Sequence, residues 1–208
     1  MHAYRRPTRL IALCALVALS SGLSAVAQQA APSHRPLKDT PAQGGPIKAL
    51  PTDSALIASA MRAAPDSVSR EATIVVPNKD GSLRTLRKGS NDYTCLPDNP
   101  ASPGRDSMCM DRNGLAWLKA CMAGKAPPAG RLGLMYMLEG GSDASNVDPT
   151  IAKPPPGQPW ISTGPHIMLV GADQMFYSNY PTGAKPDTTV PYVMWAGTPC
   201  EHLMAPTM

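Results

Sequence analysis

A chain of 208 residues is long enough for one domain with a single core. Three of its 19 Lys and Arg residues, and none of its 15 acids, fall in the first 27 positions, so the remainder is nearly neutral, with 16 basic against 15 acidic groups. That balance gives no footprint for nucleic acid, and no later window is long and apolar enough for a membrane span.

The amino terminus reads as an export signal. Arg5, Arg6 and Arg9 precede the apolar run LIALCALVAL, and Ala25-Val26-Ala27 supplies a small-residue cleavage site. A mature chain is therefore expected to begin near Gln28, in the periplasm or secreted. Cys14 lies inside the apolar run and not at the cleavage point, which argues against lipidation. Residues 28–50, QQAAPSHRPLKDTPAQGGPIKAL, carry no period and read as a disordered Pro/Gly-rich leader. Residues 51–208 are expected to form the domain.

SALIASAMRAA predicts a short helix, with Asp53 or Ser54 as N-cap and Pro65 as its stop. The period then changes to two. ATIVVP and SLRTLRKG flank the turn-forming NKDG and read as a hairpin, and NDYTCL is a candidate third strand. Asp111 is placed to cap a second helix, NGLAWLKACMAG, ended by Gly124 and the prolines beyond it. On that helix Leu115, Leu118 and Met122 share one stripe, with Trp117 and Cys121 on an adjoining one. RLGLMYML, PHIMLV, TVPYVMWAG and EHLMAP follow as strand candidates, and AKPPPGQP is a stiff connector. Together these elements predict a single α+β domain, mainly antiparallel sheet with two or three short helices. Charge is uneven along it. Beyond Arg131 only Lys153 and Lys185 face six acids, which solvated loops explain as well as a basic partner would.

Four cysteines lie beyond Ala27, at 95, 109, 121 and 200, and an even count in an exported chain reads as two disulfides with three possible connectivities. Cys95 and Cys109 bracket the loop CLPDNPASPGRDSMC, which a bridge would staple. Cys121 and Cys200 would be the remaining pair.

RKGSNDYTCLPDNP, YMLEGGSDASNVDPT, GPHIMLV and PYVMWAGTPCEHLMAP together resemble a group of uncharacterised exported bacterial proteins, over roughly residues 55–206. The resemblance carries no activity with it. Such relatives often have an aromatic where this chain has Cys200. That implies Cys121 and Cys200 are a local addition, and favours a disulfide over a shared metal ligand.

Two histidines fall in the folded region, and both sit in the same setting, His166-x-Met168 and His202-x-Met204. Positions i and i+2 of a strand face one side. If the two strands pair, the imidazoles and thioethers could share a pocket, a donor set that suits copper, above all the cuprous ion. The plainer reading is core: with 12 methionines and one phenylalanine, thioethers fill irregular space, and Met108/Met110 and Met135/Met137 repeat the spacing without histidine. A blue copper centre does not fit. C-x-H-x-M on a strand holds Cys200 and Met204 about 13 Å apart, and a disulfide would consume the thiolate.

The loop EGGSDASNVDPT offers Glu139, Asp143, Ser145, Asn146 and Asp148 as hard oxygens, but not the twelve-residue calcium-loop pattern. Ser142 could be a nucleophile with His166 or His202 as base and Asp143 or Asp148 as orienter, although the loop is no G-x-S-x-G elbow. A polar loop bonding to its own backbone is the plainer reading. Trp160 or Trp195 could wall a recess near the histidines, while Trp117 reads as core.

The sequence thus favours an exported periplasmic protein, probed best as a non-catalytic binder of a small polar ligand or soft metal at His166, His202, Asp143 and Trp195. Met168 and Met204 are the added metal candidates. A small hydrolase using Ser142 or a histidine base, and a structural envelope module, are the alternatives.

Overall fold

The apolar periodicity is dictated by which faces must leave water, and it resolves into fourteen elements along residues 51–207, which the computed structural model describes. The expected signal (1–27) and leader (28–50), and Met208, lie outside the described residues. In chain order the elements are α1 (Asp53–Met61), α2 (Asp66–Ser69), β1 (Thr73–Pro77), β2 (Leu83–Arg87), β3 (Thr94–Leu96), β4 (Met108–Met110) and α3 (Arg112–Met122), followed by β5 (Gly133–Met137), β6 (Gly141–Asp143), β7 (Ile161–Thr163), β8 (His166–Val170), α4 (Gln174–Tyr177), β9 (Tyr192–Met194) and β10 (His202–Pro206).

Eight strands form one sheet in the order β2-β1-β3-β4-β5-β8-β10-β9, and β6 pairs with β7 in a separate two-stranded ribbon. All pairs are antiparallel except β1 with β3. The α+β expectation therefore holds. The exceptional parallel pair follows from a crossing behind the hairpin: Ser90 and Asn91 N–H both donate to the Glu71 carbonyl, at 2.8 and 3.1 Å, so the chain re-enters on the far side of β1.

Helix ends differ in how far side chains fix them. Thr52, not Asp53 or Ser54, caps α1, its hydroxyl accepting from Ala55 N–H at 3.2 Å. Thr52 wins because it still has extended backbone, while Asp53 is already helical and its carboxylate pairs with Arg84. Asp111 caps α3 as expected, accepting from Gly114 N–H at 2.7 Å, and its second oxygen accepts from Leu134 N–H at 3.1 Å. One carboxylate thus ties the helix start to β5. On α3 Gly114 and Trp117 are buried and Leu115 and Leu118 pack half-buried on the same core, whereas Met122, at the end of their stripe, is 58% exposed.

Close backbone contact sets the seating of α3. A Cβ on Gly133 would stand 2.4 Å from the Gly114 nitrogen and 2.8 Å from its Cα. Only backbone can yield there. Gly133→Ala is therefore expected to destabilise by about 1–3 kcal/mol, read as a lower urea midpoint with unchanged slope.

The sheet buries both faces unevenly. One carries Val75, Leu96, Met110, Met135, Met137, Met168, Val170, Met194 and Met204 beneath Trp117 of α3. The other is covered at one end by Ala60 of α1 and by Ala63 and Ala64 just after it, over Ile74, Cys95 and Cys109, and at the other by Tyr177 of α4, over Val193 and Leu203. Two disulfides close the frame, Cys95–Cys109 between neighbouring strands β3 and β4, and Cys121–Cys200 between α3 and the approach to β10.

Candidate functional site

Register turns scattered methionines into a surface. Met110 faces Met135, Met135 faces Met168, Met168 faces Met204 and Met204 faces Tyr192, so four thioethers run in one row across β4, β5, β8 and β10. Directly opposed side chains in such a ladder stand about 4.5–5.5 Å apart. Met137 faces His166 in the next row on one side, and Val170 faces His202 on the other. The two histidines and their methionines thus share one face, flanking the row from opposite sides. Their backbone positions are offset along the strands. His202 lies opposite Val170, four positions beyond His166, which puts about 13 Å of strand between them.

Both rings are oriented by the chain two residues upstream. His166 Nδ1 bonds the Gly164 carbonyl at 2.7 Å, and His202 Nδ1 bonds the Cys200 carbonyl at 2.8 Å. A carbonyl only accepts, so each Nδ1 carries the proton and each Nε2 presents a lone pair. Burial pushes the His202 imidazole down to about 4, against the pull of the Cys200 carbonyl and with a further push from His166. Burial likewise lowers His166, opposed by the Gly164 carbonyl. Both are neutral at pH 7.

Their surroundings differ. The His202 ring lies edge-on to two indoles, Trp117 at 5.2 Å and Trp195 at 5.1 Å between centroids, and is enclosed by aromatic surface. His166 is 0% exposed, and its Nε2 is buried with no hydrogen-bond partner. The ribbon β6–β7 covers it. Gly141 stands there because a Cβ would be 2.9 Å from Met137 Cε, 3.2 Å from Asp106 Oδ1 and 3.6 Å from His166 Cε1. That one point locates a thioether, a carboxylate and an imidazole around the glycine.

The ribbon is pinned by Asp106, which Oδ1 joins to Ser142 N–H at 2.7 Å and Oδ2 joins to the Ser102 hydroxyl. Burial raises Asp106, against the Ser142 hydrogen bond and with help from Asp98. Asp143, at the end of β6, is pushed up to about 7 by burial, with the Asp106 charge adding to it. Tyr192, raised to about 12 chiefly by burial, shares a 2.7 Å hydrogen bond with Thr163 on β7. Burial pushes Glu139 up too, but hydrogen bonds from Arg62, Ser107 and Arg105 outweigh it and hold its carboxylate low.

These contacts sort the sequence candidates. Ser142 Oγ accepts from Gly104 N–H at 2.8 Å, and no hydrogen bond joins it to His166, His202, Asp143 or Asp148. Trp195, at φ +55°, donates its indole N–H to the Ser145 carbonyl at 2.8 Å and packs on His202, so it lies at the other end of the face from His166. The four expected recess residues therefore divide, with His202 and Trp195 together and His166 apart from them. In the 139–148 loop only Asp148 and Ser145 bond locally: Asp148 holds Thr150, and Ser145 accepts from Val147 and Asp148 N–H, whereas Asn146 donates to the distant Gly183 and Val193 carbonyls and leaves its Oδ1 buried without a partner. Among the described residues no three His, Cys, Asp or Glu side chains converge as a metal cage.

Sequence reasoning set Met135 and Met137 aside as filler, and it passed over Asp106 altogether. The i, i+2 spacing of Met108/Met110 and Met135/Met137 was the available signal, since it marks the same strand periodicity as His-x-Met. Two surface hollows, of 580 and 600 Å³, lie elsewhere, one beside α4 and one between the β1–β2 turn and α3, and neither includes His166, Asp143 or Ser142. Among the described residues no helix is long and apolar enough to cross a membrane. Comparison with protein families, curated proteins and solved structures finds no match to this chain.

Proposed function

We propose that this is an exported, non-catalytic binding protein that holds a small polar ligand or a soft metal ion at the His166 end of the methionine face. The observation that carries the reading is the buried, unpartnered Nε2 of His166. A polar atom left so costs about 1–3 kcal/mol that an apolar residue would not incur, and a bound group that donates to it or coordinates it recovers that cost. Two disulfides and the lack of a membrane-crossing helix among the described residues are compatible with export. The hydrolase alternative draws no support from Ser142, whose oxygen accepts from a backbone amide and makes no hydrogen bond to a histidine or carboxylate.

The test is the content of the protein itself. Mature chain recovered from a periplasmic extract, then denatured, is expected to release one low-mass component or metal ion per chain by mass spectrometry and elemental analysis. His166→Leu, confirmed folded by circular dichroism, should release none. Wild-type protein that carries nothing, and whose His166 ring signals respond to no metal ion or metabolite in a titration panel, would leave the structural envelope module in its place.

A further inference from the structure

The geometry points to a cuprous ion as the ligand, bound by His166 Nε2 and the thioethers of Met137 and Met168; this rests on the binding reading above and narrows it. The histidine offers a neutral imidazole whose other nitrogen is fixed by the Gly164 carbonyl, the arrangement in which a ligating ring is held in one tautomer. Met137 is its direct cross-strand partner, and Met168 lies two residues along on the same face. Both are buried, and neither thioether needs to lose a proton to coordinate.

Chemistry selects the ion. Zinc and the hard cations want thiolate, carboxylate or several imidazoles, and no such cage exists among the described residues. Both disulfides withdraw the thiolates. What remains is one imidazole among thioethers, a soft set matched by a monovalent ion content with two or three neutral donors. The single positive charge would be buried, and buried charge needs a counter-charge. Asp106 supplies it without ligating: its Oδ1 lies 3.2 Å from the same point above Gly141 at which His166 Cε1 lies 3.6 Å away.

Two features separate this site from the broader His166/His202 set. His202 is enclosed by Trp117 and Trp195 and lies on the far side of the methionine row. Met204 faces Met168 but pairs with Tyr192 on its other side, one strand further from the ring of His166. Neither is needed. The glycine at 141 also leaves no side chain between the ribbon and the donors.

Anaerobic titration of the mature protein with cuprous ion, in competition with a chromogenic cuprous chelator, is expected to give one ion per chain. Met137→Leu and Met168→Leu keep volume and burial, so the fold should persist. Outer-shell partners of a metal are worth about 10–100-fold in affinity, so loss of a direct ligand should cost at least about 100-fold in each leucine variant and in His166→Leu. Met204→Leu should match wild type. X-ray absorption at the copper edge should show sulfur and nitrogen neighbours, with nitrogen lost in His166→Leu. No uptake, or uptake indifferent to Met137 and Met168, overturns the cuprous site. If the protein from periplasmic extract still releases a His166-dependent low-mass component in that case, the copper inference falls and the binding reading survives. If it releases nothing and the His166 ring responds to no metal ion or metabolite, both fall.

Discussion

Removing the Cys121–Cys200 bridge is expected to lower the unfolding free energy by about 4 kcal/mol, against about 3 kcal/mol for Cys95–Cys109, each measured with paired alanine substitutions. The order follows from the chain each bridge closes, since 79 residues separate the first pair and 14 the second. A longer loop forbids more unfolded conformations. The two should also differ in what loosens. Cys121 belongs to α3, the helix whose Trp117 covers the methionine face and touches His202, whereas Cys95 and Cys109 already face each other in a strand pair. Loss of the first bridge should therefore change Trp fluorescence and speed amide exchange in α3, while loss of the second leaves α3 protected. Guanidinium unfolding of the two variants decides the order, and a larger loss from Cys95–Cys109 would mean that the short loop carries the constraint.

The second large effect is partly hidden in the wild type because two buried groups oppose each other. His202 titrates near 4 when folded and near 6.5 when unfolded. Between those values the unfolded chain binds the extra proton, so stability falls as pH drops, by up to about 3 kcal/mol. Asp143 titrates near 7 when folded and 3.8 when unfolded. There the folded chain holds the extra proton, so stability falls as pH rises, by about 2 kcal/mol once partial exposure is allowed for. Over pH 4 to 6.5 the two slopes have opposite sign and partly cancel, leaving a net change of about 1 kcal/mol. Burial moves His166 and Asp106 in the same two directions, one on each side of the balance. Wild type is expected to be flatter across this window than the Asp143 variant that leaves His202 unopposed. Asp143→Asn should become steadily more stable as pH rises through it, and His202→Phe, which keeps a ring between the two indoles, should become less stable. Urea midpoints at four pH values test this, and variants with parallel slopes would contradict it.

Much of this was legible because it is local. The hairpin around NKDG depends on turn residues next to one another, and β1 and β2 flank it. Asp111 caps α3 through an amide three residues on, so its role is written in adjacent positions. The strands β5, β8, β9 and β10 announce themselves as short apolar runs between Pro- and Gly-rich loops. What was missed is short or borrows its stability from distant partners. Strand β4 is only Met-Cys-Met, β6 lies in a segment that reads as polar loop, and β7 is three residues just beyond the stiff connector. Their pairing depends on Asp106 holding Ser142 N–H across 36 residues, which no local pattern encodes.

The candidate site divides along the same line. That His166 and Met168, or His202 and Met204, lie on one side of a strand followed from residue spacing alone, because a strand alternates its faces. Residue identity also fixed the donor chemistry, neutral imidazole and thioether. Which donors meet was decided only by the tertiary structure. Antiparallel register set Met168 opposite Met204 and displaced the two histidines along the strands; it also brought Met137 from β5 beside His166. Strand order and register arise from the whole sheet burying its apolar face at once, so a set of His-x-Met pairs could name the ligands without saying which of them share a site.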